Sequence, residues 1–540
     1  MAYELAQAGY TVRVLEKGPW LSEQDFFKDE LACCRRDVYT PKLTDEQHVI
    51  EEPEGDGWTA GTSQETGWNF WNGNLVGGSS NLMSGFFHRL KPKDFRLLSE
   101  FGPIEGANIV DWPIGYEDLE PYYTRVEQVV GISGRVVPYP HAEPRSTTDF
   151  PFPPTAENRV SGWIDQAADE LGWHSMPVPR AILPHAALGR QGCQYSGYCG
   201  SYGCASGAKG SARAALLDAA LATGRCEVRP YSKVYRLVSD ARGQISAVAY
   251  YDREGESRRV TARLYVVACQ AIETARLLLS SPGPEHPQGL GNRYGQVGRN
   301  LIFSAGGQGR GYFEFDKLAP EQVDELRRMG PFVNRALMDW YYIDEPELGR
   351  MKGGLIDFLF QHPAVMGRAD ALKWDAEGRL VWGKPLKRRL ESWFRSDRRL
   401  NFEVFNDWLP TDDCLVSLAT QTRDRWNSPV AKLRIGYHPH DLKVAAFLAK
   451  KGEILLRQMG ASYIQSGVSG APPPNLVAGG CRFGADPKHS VLDADCRMHG
   501  VDNLFVSDGS FMPTGGSVPY TWTIYANAFR VADRIRQQLG

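Results

Sequence analysis

Two acidic residues stand at the ends of short apolar runs, where a nucleotide-binding sheet places its ligands. Glu16 follows residues 11–15, an alternating run that predicts a strand, and Asp508 follows a second such run at 503–507. An acid at a strand end can hydrogen-bond a ribose or ribityl hydroxyl, and a glycine turn into a helix suits a phosphate or an electron-rich ring. Either acid could also close an ordinary strand.

A third candidate for ligand binding is a loop rich in glycine. Residues 71–81 read Trp-Asn-Gly-Asn-Leu-Val-Gly-Gly-Ser-Ser-Asn. Paired glycines let the backbone approach a bound group closely, and hydroxyl side chains can bond a phosphate or a ring edge. A surface loop would have the same composition. The residues that this loop offers to a ligand are Gly77, Gly78, Ser79, Ser80 and Asn81.

Three cysteines, Cys193, Cys199 and Cys204, lie within twelve residues and are separated by glycines. Three thiolates at this spacing could ligate an iron–sulfur cluster. A four-cysteine zinc site is disfavoured because no fourth ligand lies close in the sequence. The alternative is a set of small buried residues, with or without one disulfide.

The composition is that of a soluble globular protein with no nucleic-acid partner. Among 540 residues, 61 Lys and Arg balance 64 Asp and Glu, whereas nucleic-acid binding favours a basic excess. The length predicts about three to four domain equivalents. No run of eighteen apolar residues and no signal peptide occur, so the sequence predicts a cytoplasmic protein with no transmembrane segment and mostly reduced cysteines.

Periodicity places these motifs in an α/β fold. Residues 2–9 read as the second half of a helix and precede the strand at 11–15, which is the tail of a βαβ unit. The G-x-G-x-x-G loop should lie about twenty residues before Glu16, so the sequence predicts that the first strand and this loop are absent from the chain. Residues 305–470 mix aromatic strand-like runs with charged helices, including one predicted at 385–399, and indicate a second, largely antiparallel domain.

Taken in order, the motifs resemble those of the glucose–methanol–choline (GMC) family of FAD-dependent oxidoreductases. The Gly-Gly-Ser-Ser run matches the flavin-loop signature of that family, and Glu16 matches its ribose acid. Residues 267–278 resemble the segment A-G-A-I-E-T-P-R-L-L, and residues 482–508 resemble the C-terminal signature. The resemblance covers the chain apart from residues 305–400, which in this family belong to the variable substrate domain.

The resemblance implies an α/β fold with a Rossmann-like FAD-binding domain, formed by residues 1–95, 190–304 and 476–540. Residues 96–189 would connect it to an α+β substrate domain at 305–475, built on an antiparallel sheet. FAD is the implied cofactor, with the backbone of Val234 beside the adenine. The implied cofactor-binding residues are Glu16, Gly77, Gly78, Ser79, Ser80, Asn81, Val234, Asp508, Gly509, Thr521 and Thr523.

One departure from the family concerns the catalytic base. The family places a histidine where this chain has Leu476, and the partner block reads Val-Pro-Tyr at 518–520. Alcohol oxidation needs a base within hydrogen-bond reach of the hydroxyl. Tyr520 is one candidate, assisted by Asn475 or by a histidine from another segment. The histidines considered are His362, His438 and His440. Two alternatives are that this region is altered in this particular chain and that the protein is inactive.

The cysteine block resembles that of the gluconate- and glucose-dehydrogenase branch, in which some members carry a [3Fe–4S] cluster. Together with the Pro-Tyr-Thr-Trp-Thr-Ile ending, it also resembles flavin enzymes that oxidise the 6′-hydroxyl of aminoglycoside intermediates in antibiotic biosynthesis. This implies oxidation of a sugar or aminosugar hydroxyl to the aldehyde, with oxygen or another electron acceptor. Two alternatives remain: a non-catalytic flavin-fold binding protein, and a cluster-linked dehydrogenase that passes electrons to a cytochrome or quinone.

Four acids in the predicted substrate region could receive a cationic substrate. They are Glu403, Asp407, Asp412 and Asp413. The adjacent pair Asp412 and Asp413 is more typical of a turn.

Overall fold

The computed structural model describes residues 1–26, 46–68, 70, 73–304, 306–328, 330–346, 348–360, 365–375, 377–474 and 476–540. Its α-helices are Ala2–Gln7, Ser63–Thr66, Leu97–Phe101, Tyr116–Val126, Val160–Glu170, Asp218–Ala222, Ala271–Leu279, Pro320–Arg327, Val365–Ala371, Gly383–Arg395, Pro439–Gln458 and Thr521–Leu539.

The strands, numbered in chain order, are β1 (Val12–Leu15), β2 (Val49–Glu54), β3 (Gly57–Thr62), β4 (Ser175–Pro177), β5 (Cys226–Arg229), β6 (Lys233–Ser239), β7 (Ile245–Tyr251), β8 (Ser257–Val260), β9 (Tyr265–Val267), β10 (Leu301–Phe303), β11 (Gly307–Glu314), β12 (Arg335–Leu337), β13 (Tyr342–Glu345), β14 (Gly349–Lys352), β15 (Gly354–Phe360), β16 (Asp397–Asn406), β17 (Cys414–Arg423), β18 (Pro429–Ile435), β19 (Tyr463–Val468), β20 (Val477–Gly479) and β21 (Leu504–Val506).

Two parallel ladders hold the candidate ligand acids. β1 pairs with β5, and β9 pairs with β21. Within the described ranges, no ladder hydrogen bond joins the first pair to the second. Parallel strands require crossover connections, and helices Ala2–Gln7, Ala271–Leu279 and Thr521–Leu539 accompany these strands. The predicted α/β arrangement is therefore confirmed.

The helix that follows β9 shows how the sequence sets these elements. The Gln270 side chain accepts a hydrogen bond from the Ile272 N–H at 2.9 Å and caps the first turn. Ile272, Ala275 and Leu278 are buried along one face, and Pro282 follows the last turn. The capping residue and the apolar spacing together direct this helix onto the sheet.

The second domain is built on a six-stranded sheet in the order β19-β11-β16-β15-β12-β4, and every pair of neighbours is antiparallel. Helix Pro439–Gln458 covers one face, where Phe402 and Val404 are buried in a core of their own. On the opposite face Leu355 and Phe405 belong to the core that also contains the C-terminal helix. The predicted α+β domain with an antiparallel sheet is thus confirmed.

Two segments cross the predicted domain limits. β4 joins the substrate sheet, although residues 96–189 were expected only to connect. β2 pairs with β18 in a four-stranded sheet with β3 and β17, so part of the predicted FAD-binding segment pairs with residues 414–435. The domain limits stay a prediction.

The predicted helix at 385–399 is wrong at its C-terminal end. The helix ends at Arg395, and β16 begins at Asp397. The apolar residues at 400, 402 and 404 alternate, a period that fits a strand and not a helix. In the described part of the chain, no helix is both long and apolar enough to cross a membrane.

A buried charge network fixes the C-terminal loop against the substrate sheet. The Lys352 ammonium lies 2.5 Å from Asp94 Oδ1 and 3.5 Å from Asp407 Oδ2. The other oxygen of Asp407 accepts the N–H groups of Gly516 (2.7 Å) and Ser517 (3.0 Å). Burial alone would lower the pKa of Lys352, but Asp407 and Asp94 raise it above its ordinary value. The loop after Asp508 is therefore held by groups at the end of the substrate sheet.

Candidate FAD and substrate site

The carboxyl ends of β1, β9 and β21 bring the predicted cofactor acids together. Glu16 follows β1, Cys269 lies two residues beyond β9, and Asp508 lies two residues beyond β21. Glu16 and Asp508 both act electrostatically on the Cys269 thiol, so the three side chains are neighbours. Ligands of open α/β sheets bind in the crevice outside the carboxyl ends of the strands.

Each of these acids is held in a fixed orientation. Glu16 Oε1 accepts the Gly18 N–H at 2.7 Å, and burial raises the pKa of Glu16. Asp508 accepts the Ser510 N–H at 2.8 Å and the Thr274 hydroxyl at 2.5 Å, and burial raises its pKa also. A buried carboxylate that is oriented in this way can accept a hydrogen bond from a ligand hydroxyl.

The predicted glycine loop packs directly against the turn after β1. The Val76 N–H donates to the Pro19 carbonyl at 2.9 Å, and a Cβ on Gly18 would lie 2.1 Å from the Asn74 carbonyl oxygen. Only glycine therefore permits this contact at position 18. Two motifs about sixty residues apart in the sequence thus form one wall of the crevice.

Hydrogen bonds from Ser80 and Asn81 hold the glycine loop rigidly. Ser80 Oγ donates to the Gly77 carbonyl at 2.6 Å and accepts the Ala212 N–H at 2.9 Å. The Asn81 amide donates to the carbonyls of Val76 (3.0 Å) and Gly78 (2.9 Å). The Ser79 hydroxyl accepts the N–H of Gly73 at 2.8 Å. These side-chain hydrogen bonds therefore shape the loop itself. The predicted contact of these residues with FAD stays a proposal.

The two glycines of the loop differ in what surrounds them. Gly77 has φ +89°, and a Cβ there would lie 2.9 Å from the Arg213 Cβ. Gly78 has φ +58°, and a Cβ there would meet nothing within 4 Å. Gly77 is required by packing, whereas Gly78 presents its backbone to open space, as a loop that cradles a ligand must.

Two buried polar atoms near this crevice have no hydrogen-bond partner among the residues that the structure describes. They are Ser507 Oγ, directly after β21, and Asn74 Oδ1, in the glycine loop. Buried polar atoms are nearly always hydrogen-bonded, so these positions fit a ligand that carries hydroxyls, phosphates or a polar ring edge. FAD has all three.

The remaining predicted cofactor residues lie in varied settings. Val234 is half-buried in β6, and Gly509 begins the turn after Asp508. Thr521 opens the C-terminal helix, and the buried Thr523 hydroxyl is 2.7 Å from the Tyr123 hydroxyl. These cofactor roles stay predictions.

The environment of Tyr520 opposes its sequence-based role as a base. Its hydroxyl donates to the Leu476 carbonyl at 2.6 Å. Burial first, and Asp407 second, raise the pKa of Tyr520 well above its usual range. A base must give up its proton near the working pH, so these contacts favour a role in holding Leu476 in place. Asn475 lies outside the described residues.

Two of the other histidines that the sequence offered, His438 and His440, stand at the start of helix Pro439–Gln458. His438 accepts the His440 N–H at 3.1 Å as the cap of helix Pro439–Gln458, and its Nε2 is 2.9 Å from the Glu105 carbonyl. Burial lowers the pKa of His440. His362 lies outside the described residues.

Family models assign this architecture. One described as GMC oxidoreductase matches residues 54–304, and a second with the same description matches residues 410–528. The chain belongs to the GMC oxidoreductase family. It is thus a FAD-dependent oxidoreductase that acts on alcohols, as the sequence predicts.

Several relatives of this GMC oxidoreductase align over most of its length. The chain is 32% identical to a 6‴-hydroxyparomomycin C oxidase of Streptomyces lividus, over 92% of this chain and 83% of that protein. It is 31% identical to a paromamine 6′-oxidase of Streptomyces fradiae, over 100% and 89%. It is 30% identical to a 2-methyl-1,2-propanediol dehydrogenase of Mycolicibacterium austroafricanum, over 99% and 93%.

Solved structures agree with this fold. A formate oxidase of Aspergillus oryzae superposes with a TM-score of 0.60 at 14% identity, covering 99% of this chain and 95% of that one. A pyridoxine 4-oxidase superposes with a TM-score of 0.58 at 18% identity, covering 99% and 96%. At such low identity the likeness supports the GMC fold alone.

The prediction of an iron–sulfur cluster is not supported. Cys193, Cys199 and Cys204 pack into one small cluster with Ile182 and Ala208. In the described ranges, no group of three or more His, Cys, Asp or Glu side chains could hold a metal ion, and the eight cysteines there are free thiols. Without a metal, burial raises the pKa of the Cys193 thiol to about 11, whereas Lys209 and hydrogen bonds lower the pKa of Cys204 despite its burial.

The sheet of the substrate domain contributes acids that sequence reasoning only partly found. Glu403 in β16 was a candidate, but its neighbour Asp357 in β15 was missed, as was His88. The available signal was the polar residue within the apolar run Leu-Ile-Asp-Phe-Leu-Phe at 355–360. A lone acid in a buried strand is unfavourable and therefore calls for an explanation.

We expect Glu403 to make stability depend on pH. Burial first, and Asp357 second, raise the pKa of Glu403 to about 7. A carboxyl group whose pKa is raised in the folded state makes its full contribution to stability below its unfolded-state pKa of about 4.3. This contribution is lost as pH rises toward 7. The unfolding temperature of Glu403→Gln minus that of wild type should therefore be larger at about pH 8 than at about pH 5.

Thermal unfolding of both proteins across this pH range measures the effect. Asp344→Asn, on the exposed edge of hairpin β13–β14, is the matched control and should shift the unfolding temperature equally at both pH values. A constant offset for Glu403→Gln would show that this carboxyl has an ordinary pKa.

Proposed function

We propose that this GMC oxidoreductase oxidises a primary hydroxyl of a sugar or aminosugar to the aldehyde. The 6′-hydroxyl of an aminoglycoside intermediate is the specific candidate. The observation that carries this proposal is the similarity, over at least 92% of this chain, to two oxidases named for aminoglycoside substrates, at 32% and 31% identity. Both alignments run through the FAD-binding and the substrate segments.

The residues of the crevice would bind the cofactor in parts. Glu16 would accept a ribose hydroxyl, the Gly78 backbone would approach the flavin, and Asp508 would accept a ribityl hydroxyl. Bound FAD would supply the acceptor for the hydride, at flavin N5. Loss of a hydride from the alcohol carbon and of the hydroxyl proton, ultimately to solvent, would yield the aldehyde, and oxygen or another acceptor would take up the two electrons.

Tyr520 has a positioning role in this proposal. Its bond to the Leu476 carbonyl joins the start of the C-terminal helix to the segment before β20. These are the two segments at which the family places its catalytic pair. The bond would keep the backbone of both segments fixed against the substrate. Asn475, next to Leu476, stays a candidate for contact with the hydroxyl.

The experiment uses the full chain loaded with FAD under anaerobic conditions. Paromamine, the substrate named for the Streptomyces fradiae relative, and neutral primary alcohols are added in turn. We expect paromamine to bleach the visible flavin absorbance and an aldehyde to be trapped by a hydrazine reagent. Admission of oxygen then separates the acceptors, because an oxidase yields hydrogen peroxide and a dehydrogenase requires an added dye.

A flavin-loaded protein that no alcohol bleaches would contradict this function and favour the flavin-fold binding protein. Bleaching by short-chain alcohols alone would keep the GMC chemistry and reject the sugar substrate. Neither result depends on which acceptor reoxidises the cofactor.

A further inference from the structure

Two carboxylates stand side by side on the face of the substrate sheet that looks toward the FAD-binding part. Asp357 in β15 and Glu403 in β16 are direct cross-strand partners. Directly opposed side chains of an antiparallel pair have Cβ atoms about 5 Å apart. Leu355 and Phe405, on the same face, belong to the core that contains the C-terminal helix. The two acids therefore lie between the two parts of the molecule.

Asp357 is buried without the partners that a carboxylate needs. It is 0% exposed, and neither of its oxygens has a hydrogen-bond partner among the described residues. His88 Nε2 lies 3.7 Å from Asp357 Oδ2, beyond hydrogen-bond distance, and this ring nitrogen also has no hydrogen-bond partner in the described part of the chain. His88 itself is only 3% exposed. A buried carboxylate without donors is costly, and a ligand that brings donors would remove that cost.

The charges around this pair leave room for one more cation. Arg180 acts electrostatically on Asp357, yet its guanidinium donates hydrogen bonds to neutral acceptors. These are Asn334 Oδ1 at 2.7 Å and the Ser84 carbonyl at 2.8 Å. Glu157 also acts electrostatically on Arg180, and Asp357 acts on Glu403, so this one guanidinium lies among several acids. Cys193 and Cys199 also act electrostatically on Arg180.

The segment that carries His88 also contacts the C-terminal loop. Phe87 packs on Trp522, with ring centroids 6.0 Å apart. A Cβ on Gly516 would lie 2.1 Å from Leu90 Cδ2, so this segment touches the loop after Asp508. His88, between these two contacts, faces the sheet instead. The acids are thus next to the loop that leads from the cofactor crevice.

We propose that Asp357, Glu403 and His88 form a subsite that binds the protonated amine of the substrate. This inference rests on the proposed function and narrows its substrate class to an aminosugar rather than a neutral sugar. An ammonium has three donors, which match the two oxygens of Asp357 and one of Glu403. Its charge balances the second carboxylate. The hydroxyl to be oxidised would then be set at a fixed distance from the amine.

Substrate pairs test this subsite. Wild type and Asp357→Asn are assayed with an amine substrate such as paromamine and with its congener that carries a hydroxyl in place of the amine. We expect wild type to prefer the amine. Asp357→Asn should narrow the ratio of the two kcat/KM values by about 100-fold, mainly through KM, because the amide lacks the negative charge that pairs with the ammonium. Asp344→Asn, an exposed carboxylate on hairpin β13–β14, should leave the ratio unchanged.

A second measurement needs no variant. Because burial holds the pKa of Glu403 near 7, binding of a cation beside it should release a proton at neutral pH. Calorimetric titration of the FAD-loaded wild type in two buffers of different ionisation enthalpy counts that proton. We expect proton release with the amine and none with the hydroxyl congener. Glu403→Gln should abolish the release.

The outcomes separate this inference from the proposed function. If wild type oxidises neither compound, the proposed function fails. If it oxidises both with equal kcat/KM, or if the ratio survives in Asp357→Asn and no proton is released, the sugar oxidase stands and the amine subsite is wrong.

Discussion

Gly78→Leu is expected to fold but to lose its FAD. Gly78 has φ +58° and faces open space in a loop whose shape is fixed by Asn81 and Ser80. A leucine would place its side chain in the space that the backbone offers to the ligand. We expect the ratio of flavin to protein absorbance after purification to fall at least tenfold, which corresponds to a loss of about 1.4 kcal/mol or more in binding free energy. Alcohol oxidation should fall with it.

Backbone strain alone is tested by Gly224→Leu. Gly224 has φ +68°, and a Cβ there would also meet nothing within 4 Å, but this glycine follows the helix Asp218–Ala222 on the surface. Both variants incur about 1–2 kcal/mol for a left-handed side chain. If both lose flavin equally, the loop has no special role in holding the cofactor. If Gly78→Leu keeps its flavin, the proposed cradle lies elsewhere.

Lys352→Met is expected to lower the free energy of unfolding by about 3–5 kcal/mol, the usual cost of breaking a buried ion pair on one side. Lys352 is 5% exposed and faces two buried acids, Asp94 and Asp407. Methionine fills the space but leaves both carboxylates without their counter-charge. The shift in the urea or thermal unfolding midpoint measures the loss.

The double variant Lys352→Met/Asp94→Asn separates charge from packing. Removal of one of the stranded carboxylates should restore part of the lost stability, because less negative charge stays buried. Lys317→Met is the matched surface control, since Lys317 pairs with Glu314 in water and should leave the midpoint unchanged. No recovery in the double variant would show that packing of the lysine stem carries the effect.

The cofactor crevice was predictable because its signals are local. Glu16 and Asp508 each stand at the end of a short apolar run, and strand ends of a parallel sheet meet at one edge. The two glycines mark a close backbone approach in the same direct way. The fold class followed from the same periodicities. The helix prediction was wrong at 396–399, where charged residues obscure the alternating pattern of β16.

The substrate side was not predictable in this way. Asp357 and Glu403 meet only through the register of β15 with β16, and His88 approaches Asp357 from a distant segment. Tyr520 was assigned by its type, but its hydrogen bond and burial decide what its hydroxyl can do. The cysteines show the same limit, because close spacing in the sequence does not set how three thiols are arranged in space.

The two backbone amides that donate to Asp407 can report motion of the C-terminal loop by hydrogen exchange. An amide exchanges its hydrogen with solvent deuterium only when its bond opens. The N–H groups of Gly516 and Ser517 are buried against a carboxylate at the end of β16, and the Ser517 hydroxyl donates to the Gly353 carbonyl at 2.8 Å. The rate of deuterium uptake at these two amides therefore measures how often this loop separates from the end of β16. Ligands that bind in the crevice should slow this uptake.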